Sequence, residues 1–247
     1  MKVVLVRLGL LVVLLAVWEV AGRAANPLLA VPPSAVLPAL RDLLLLRSYP
    51  DLPASLLLTL REIGTAYALA VAAGLGCGFG LGMHRLIGRA WGPMIAALYA
   101  VPAVVWYPSL MLFFGLDAAS KIAFGFLGFF PITLAVLAGI RQVNPQLVVV
   151  ARAYGAGAVA VFRRVMLPSM LFTLVGGLRT GLALCVIGVV VGEVLGSKAG
   201  MGALINHAYG LLRTGDYVAL VLVTLVLVVG SDVLASLLER RARLWTE

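Results

Sequence analysis

Two cysteines, two histidines and ten acidic residues in 247 positions leave little from which to build reactive chemistry. Cys77 and Cys185 both lie within apolar runs and read as small packing residues, which excludes a secreted disulfide scaffold. Charged residues make up only 12% of the chain, against about a quarter in an ordinary soluble domain, so a disordered chain and a coiled coil are excluded as well. Neither C-x-x-C nor H-E-x-x-H occurs, and His84 and His207 are expected on opposite membrane faces, so no catalytic or metal site of familiar spacing can be assembled. A Walker sequence is also missing.

What is abundant is apolar. Hydrophobic residues reach 63%, the mean hydropathy is +1.11, and apolar runs extend from Val3 to Leu238 with no soluble block between them. One integral membrane domain follows. A spanning helix needs roughly 17–25 apolar residues, and six stretches qualify: about Val3–Ala21, Ile63–Met83, Ala90–Leu116, Ile122–Ile140, about Ser169–Val194 and Tyr217–Leu238. The expected fold is all-α, a polytopic membrane protein with six transmembrane helices. The first span has a signal-like start, but Arg23 fits poorly near a cleavage point after Ala24 or Ala25, which favours a retained helix.

The net charge of +9 does not mark a nucleic-acid binder, because Lys and Arg fall at the ends of apolar segments, where orientation signals belong. One side of the six spans collects eleven: Lys2, Arg7, Arg85, Arg89, Arg141, Arg152, Arg163, Arg164, Arg240, Arg241 and Arg243. Seven fall on the other side (Arg23, Arg41, Arg47, Arg61, Lys121, Lys198 and Arg213), sharing their loops with Asp42, Asp51, Glu62, Asp117, Glu193 and Asp216. The richer side is cytoplasmic by the positive-inside rule, which places both termini in the cytoplasm.

Between the first two spans, Pro27, Pro32, Pro33, Pro38, Pro50 and Pro53 mark an extracytoplasmic connection with a short helix around Ala35–Leu46. The glycines from Gly74 to Gly82 strip side chains from the second span and read as a seam for close helix packing. Glu19, Arg179 and Asp232 are the ionisable residues within or near the hydrocarbon region. For Glu19 and Asp232 a helix-end position near the interface is the simpler reading; for Arg179 an ion pair and a cavity-lining role stand level.

The stretch Arg141–Pro168 is too long for a tight turn and carries four arginines and no acid. Pro145 and Gln146 start a helix, Gly155 and Gly157 break it, Val159–Met166 forms a second helical stretch, and Pro168 begins a new helix. Such a shape suits a grip for another protein, and on periodicity alone it suits anionic lipid equally well.

This loop resembles the cytoplasmic signature of permease subunits of bacterial ATP-binding-cassette importers: E-A-A, three residues, G, nine residues, I, one residue, L-P. The corresponding residues are Val149-Val150-Ala151, Gly155, Val165 and Leu167-Pro168, with Val149 standing where the family has its acid. Further segments in matching order are Val31-Pro32-Pro33-Ser34, Val101-Pro102 to Pro108, Phe113-Phe114-Gly115, Ser120-Lys121-Ile122, Phe129-Phe130-Pro131-Ile132, Gly177-Leu178-Arg179 and Gly192-Glu193 through Gly202. They narrow the likeness to the branch importing sulfonates, taurine, nitrate and thiamine or riboflavin precursors.

The resemblance implies the type I importer permease (MetI-like) fold. It divides the chain into residues 1–58 (first helix and extracytoplasmic connection), 59–240 (transmembrane domain, with a cytoplasmic coupling loop at 141–168) and a cytoplasmic tail, 241–247. It implies residence in a bacterial cytoplasmic membrane, a cytoplasmic ATPase dimer and an extracytoplasmic solute-binding protein as partners, and a second permease copy, with the chain itself no enzyme. ATP and Mg would sit on the ATPase, with no cofactor in this chain. Ala151, Arg152, Gly155, Ala156, Phe162, Arg163, Arg164, Leu167 and Pro168 would contact or shape the ATPase-docking loop. Trp106, Tyr107 and Arg179 are candidates for lining the path of a small anionic or heterocyclic solute, though packing explains the aromatics as well. An ion-coupled secondary transporter is the rival reading, and it would need the inverted repeat or intramembrane acid cluster that the sequence does not display.

Overall fold

A computed structural model describes residues 2–26, 30–116 and 118–243. Pro27, Asp117 and residues 244–247 lie outside the described residues, as do the side chains of Lys2, Arg85, Arg240, Arg241 and Arg243 from the charge census. Helices run in the order α1 (Lys2–Ala24), α2 (Pro33–Leu44), α3 (Leu52–Gly82), α4 (Arg85–Ala100), α5 (Ala103–Phe114), α6 (Ala118–Gly125), α7 (Phe129–Gln142), α8 (Pro145–Ala153), α9 (Ala158–Val161), α10 (Leu167–Gly196), α11 (Met201–Gly210) and α12 (Thr214–Arg243). A single 3₁₀ turn, Phe126–Gly128, joins α6 to α7, and a π turn, Phe162–Met166, joins α9 to α10. Among the described residues five stretches are long and apolar enough to span a bilayer, and a sixth arises if α4 and α5 count as one span.

That sixth span corrects the sequence reading. The 27-residue run Ala90–Leu116 is two helices that meet at a 91° bend. Val101 is extended and Pro102 occupies the cap before α5. Proline disfavours the helical conformation in the residue before it and offers no N–H, so an apolar run long enough to span is broken at this dipeptide. Pro108, by contrast, is accommodated inside α5. A second correction concerns the start of the fifth span: Pro168 does not open a new helix, because α9, the π turn and α10 run on without a break. The proline ring clashes with the carbonyl of the residue four before it, and the wider π turn immediately upstream is the usual relief for such a clash. The helix of the first connection forms near its expected place, at Pro33–Leu44, with proline at its first position.

The chain divides into two compact units, one built from Met1–Thr59 and Glu193–Leu227, the other from Leu60–Gly192 and Val228–Glu247. In the first unit, α1 meets the start of α2 through a polar knot. The Ser34 N–H and hydroxyl donate to the Glu19 carboxylate at 3.0 and 2.6 Å, and Arg23 donates to the same group at 2.6 Å. The core of this unit gathers Leu43, Tyr49, Leu52, Met201, Ile205, Ala208, Ala219 and Leu220. Burial pushes the Tyr49 phenol above its ordinary range, and the Asp216 carboxylate adds to the rise.

In the second unit, glycine decides how the helices approach. A side-chain carbon on Gly74 would lie 2.7 Å from Ile132, one on Gly78 would lie 2.5 Å from Val136, and one on Gly82 would strike Ile140. Both series step by four residues, so a bare face of α3 receives the ridge of α7. Gly76 and Gly80 point to open space. A second glycine seam sets α10 against α6 and the 3₁₀ turn, with Gly188 close to Gly125 and Gly181 close to Gly128. Cys185 is fully buried in this packing beside Ala70 and Ile132 as a free thiol, whereas Cys77 is exposed.

The two faces of α3 give a direct comparison. Gly78→Ala forces Val136 or the backbone to shift and is expected to destabilise the protein by about 1–3 kcal/mol. Gly76→Ala meets nothing and gains helix propensity, up to about 1 kcal/mol of stabilisation. Thermal unfolding of both variants in one detergent would check the ordering, and equal behaviour would contradict the seam.

Candidate functional site

The loop after α7 is built by local rules. The side-chain oxygen of Asn144 accepts from the Gln146 N–H at 2.9 Å and Pro145 takes the first helical position, so α8 starts with one of its orphan donors satisfied. It ends on Gly155, whose φ is +80°. The Ala156 N–H donates to the Ala151 carbonyl at 3.0 Å, and the Gly155 N–H donates to the Arg152 carbonyl at 2.9 Å. This pair of bonds is a Schellman motif, and its left-handed position explains why glycine stands there. Gly157, in an extended conformation, then caps α9.

The returning arm is anchored in the second unit, where Val161 is buried and Phe162 packs edge-to-face on Phe79 with ring centroids 5.4 Å apart. The other arm has no buried residue, and Leu147, Val149 and Val150 are each at least half exposed. At the turn, Tyr154 is 88% exposed. Ala151, Ala156 and Leu167 are half-buried, while Arg152, Arg163, Arg164 and Pro168 are exposed. Arg163 and Arg164 border an open hollow of about 760 Å³ with residues 157–160. Arg141, also exposed, is tied back to α4, its guanidinium donating to the Gly88 carbonyl at 3.0 Å. The loop is therefore a hairpin of short helices, anchored on one arm and bare on the other, with an aliphatic face, an aromatic tip and three exposed arginines.

The three path candidates occupy different settings. Trp106 lines a cavity beside the break between α4 and α5. Tyr107 is 1% exposed, donates its hydroxyl to the Gly192 carbonyl at 2.6 Å and packs on Phe124, so it is an internal strut. Arg179 binds Asp232 through two parallel hydrogen bonds of 2.8 and 2.7 Å, with both side chains about half exposed. Of the two readings that stand level for Arg179 in the sequence, the ion pair is the one observed, and Asp232 is its partner.

Two buried carboxylates escape a reading of the sequence, which puts them in or beside loops. Glu62 forms a 2.7 Å ion pair with Lys121, both side chains 3% exposed. Lys121 marks the polar boundary of a span in the sequence, yet α6 begins before it at Ala118, and α3 begins well before Glu62 at Leu52. Glu193, fully buried, accepts from the Thr59 hydroxyl at 2.7 Å and from the Gly202 N–H at 2.8 Å, while Thr59 accepts from the Met201 N–H at 3.0 Å. A carboxylate from α10 thus caps α11 and meets the positive end of its dipole. Gly200 has φ +101°, and any side chain there would strike the Glu193 carboxylate. The spacing of Glu193, Gly200 and Gly202 is visible in the sequence, but nothing in it discloses the capping.

Comparison with known proteins decides the family. Residues 70–244 match the model of the binding-protein-dependent transport system inner membrane component. The chain belongs to that family. Among its relatives, the riboflavin transport system permease protein RibX of Chloroflexus aurantiacus is 39% identical over 163 residues, covering 65% of this chain and 60% of that protein. The putative aliphatic sulfonates transport permease protein SsuC of Bacillus subtilis is 30% identical over 94% of this chain and 84% of its own length. For the taurine transport system permease protein TauC of Escherichia coli the values are 28%, 96% and 88%. The chain thus spans only about three fifths of RibX, and 63% of a putative ABC transporter permease of Methanocaldococcus jannaschii. Two solved structures share the fold: an inward-facing MetNI methionine ABC transporter (TM-score 0.61, 22% identity, 77% of this chain and 95% of that one) and an amino acid ABC transporter (0.65, 18%, 81% and 97%). The family is one of multi-pass inner membrane permeases, and the type I importer permease fold expected from the sequence is the one observed.

The buried pair gives this permease fold a measurable dependence. Lys121→Met strands the Glu62 charge and should cost about 3–5 kcal/mol, whereas Lys121→Met with Glu62→Leu should recover most of that loss. Unfolding of the wild type, both single variants and the double variant would test this; a double variant as unstable as the sum of the singles would contradict a buried pair.

Proposed function

We propose that this chain is the permease subunit of an ATP-binding-cassette importer and that the loop at 147–168 transmits ATPase movement to its helices. The observation that carries the reading is the built shape of this loop. One arm is fixed by Phe162 on Phe79, the other presents Leu147, Val149 and Val150 unburied, and the Schellman turn at Gly155 holds the two together. A helix that presents an open apolar face and is held by an anchored second arm suits docking in a groove of a cytoplasmic partner. Val149 replaces the family's acidic residue, so docking at that position rests on apolar contact, with Arg152, Arg163 and Arg164 contributing charge around it.

On this reading both termini are cytoplasmic, a pair of ATPase subunits binds ATP and Mg, and a solute-binding protein delivers cargo on the other face. A second copy of the chain completes the translocation path. Closure of the ATPases would move the 147–168 loops as levers and shift the helices between inward- and outward-facing packing. Trp106 and Arg179 stay as path candidates, whereas Tyr107 is buried as an internal strut. Relatives named for riboflavin, sulfonates and taurine support a small-solute cargo, of the kind that the sequence resemblance suggests.

The chain tagged at its carboxyl end and extracted gently from native membranes should retain a Walker-containing ATPase, identified by mass spectrometry. Repeated recovery without one, with transport retained by the purified chain, would overturn the reading in favour of a secondary transporter. Gly155→Val places a β-branched residue at a positive φ, at a cost of about 1–2 kcal/mol. It should reduce ATP-driven uptake roughly tenfold while the chain still inserts and folds; undiminished uptake would remove the lever role.

A further inference from the structure

The bend between α4 and α5 opens onto a cavity of about 230 Å³ within the second unit. Tyr99, Trp106, Phe124 and Phe130 put four aromatic side chains on its wall, with Leu127 and Ile187 among the aliphatic surfaces between them, and no charged residue lines it. Tyr99 and Phe130 lie with ring centroids 6.3 Å apart and planes tilted by 33°. The volume falls a little below the roughly 300–1,000 Å³ of sites for drug-sized ligands, which suits a solute of one to three fused rings. Aromatic walls favour a flat ring, by stacking or edge contact. An anion in the same place would lose its hydration without a partner.

The charge arrangement elsewhere in this unit points the same way. Arg179, placed by sequence in the middle of a span, is held bidentately by Asp232. A solute anion would have to compete with a chelating carboxylate for the same guanidinium donors. The pair is neutral as it stands and gives an anionic cargo no free cation.

From the cavity's shape and charge we infer that it is a solute subsite for an uncharged, flat heteroaromatic ring, and that the cargo of this permease belongs to that class and not to the small sulfonates. The inference rests on the permease reading, since a cargo subsite presupposes transport. Trp106 supplies the main stacking face and Phe130 the buried wall, and the break at Val101–Pro102 makes the room.

The test uses the chain purified with its co-isolated partners in lipid nanodiscs, with lumichrome as an uncharged flat-ring probe and methanesulfonate as an anionic one. Lumichrome fluorescence should change saturably on binding and methanesulfonate should not compete. Trp106→Ala should weaken lumichrome binding about tenfold and Trp106→Phe less than about threefold. Should Trp106→Ala fail to fold, Ile187→Phe, which fills the cavity, should also weaken binding. Absence of saturable binding, competition by methanesulfonate, or equal affinity in the cavity variants would overturn the inference. Binding in detergent that vanishes in nanodiscs would assign the cavity to a lipid chain and overturn it too. Co-purification of the ATPase and its ATP turnover are read separately: their presence without lumichrome binding sinks the ring subsite and leaves the permease, and their absence sinks the permease reading whatever the probe does.

Discussion

A hydrocarbon surround offers no water to rescue an unpaired polar group, so each charge that enters this fold must find its partner inside the chain. The structure meets this constraint at two buried carboxylates by different means. Glu62 is neutralised by the ammonium of Lys121, charge against charge. Glu193 receives donors from Thr59 and from the start of α11, a carboxylate against a helix dipole. The half-exposed Arg179 and Asp232 answer each other with two hydrogen bonds. The arrangement at Glu193 constrains its surroundings in turn, since Gly200 cannot carry a side chain without striking the carboxylate.

Where polar pairing fixes points, glycine fixes distances. With lipid on the outside, helices gain little from hiding apolar surface, and close backbone approach supplies the attraction through dispersion contacts. The four-residue steps of Gly74, Gly78 and Gly82 over Ile132, Val136 and Ile140 are one such seam; Gly125 with Gly188 and Gly128 with Gly181 form another. Smooth, shallow seams of this kind permit sliding with less obstruction than interlocked large side chains. This suits helices that have to exchange two packings, as an importer permease does on the reading advanced above.

The loop at 147–168 shows how local chemistry writes a docking surface. Asn144 and Pro145 start α8, Gly155 turns it, and Phe162 anchors the return, leaving Leu147, Val149 and Val150 at least half exposed on an apolar face. The helix start and the glycine turn are legible in the residue order, because caps and left-handed turns depend on residues within a few positions of each other. The π turn at Phe162–Met166 is not legible there. It reflects a compromise between Pro168 and continuity with α10, and the simpler inference of a fresh helix at the proline assigns that compromise to the wrong geometry.

Length, scarcity of charge and the distribution of apolar runs by themselves determined a multi-pass helical protein, the approximate spans, the glycine seam and the loop signature, because each is a property of composition or of short-range spacing. Only tertiary structure decided that the third run breaks through 91° at Val101–Pro102, that Glu62 and Lys121 leave the loops for a buried pair, and that Tyr107 supports the interior while Trp106 faces a cavity. Glu193 and Thr59 are separated by 134 positions, and Arg179 and Asp232 by 53. Pairing over such distances is selected by packing in three dimensions, and a linear pattern can mark the cost of a charge in an apolar run without naming the residue that answers it.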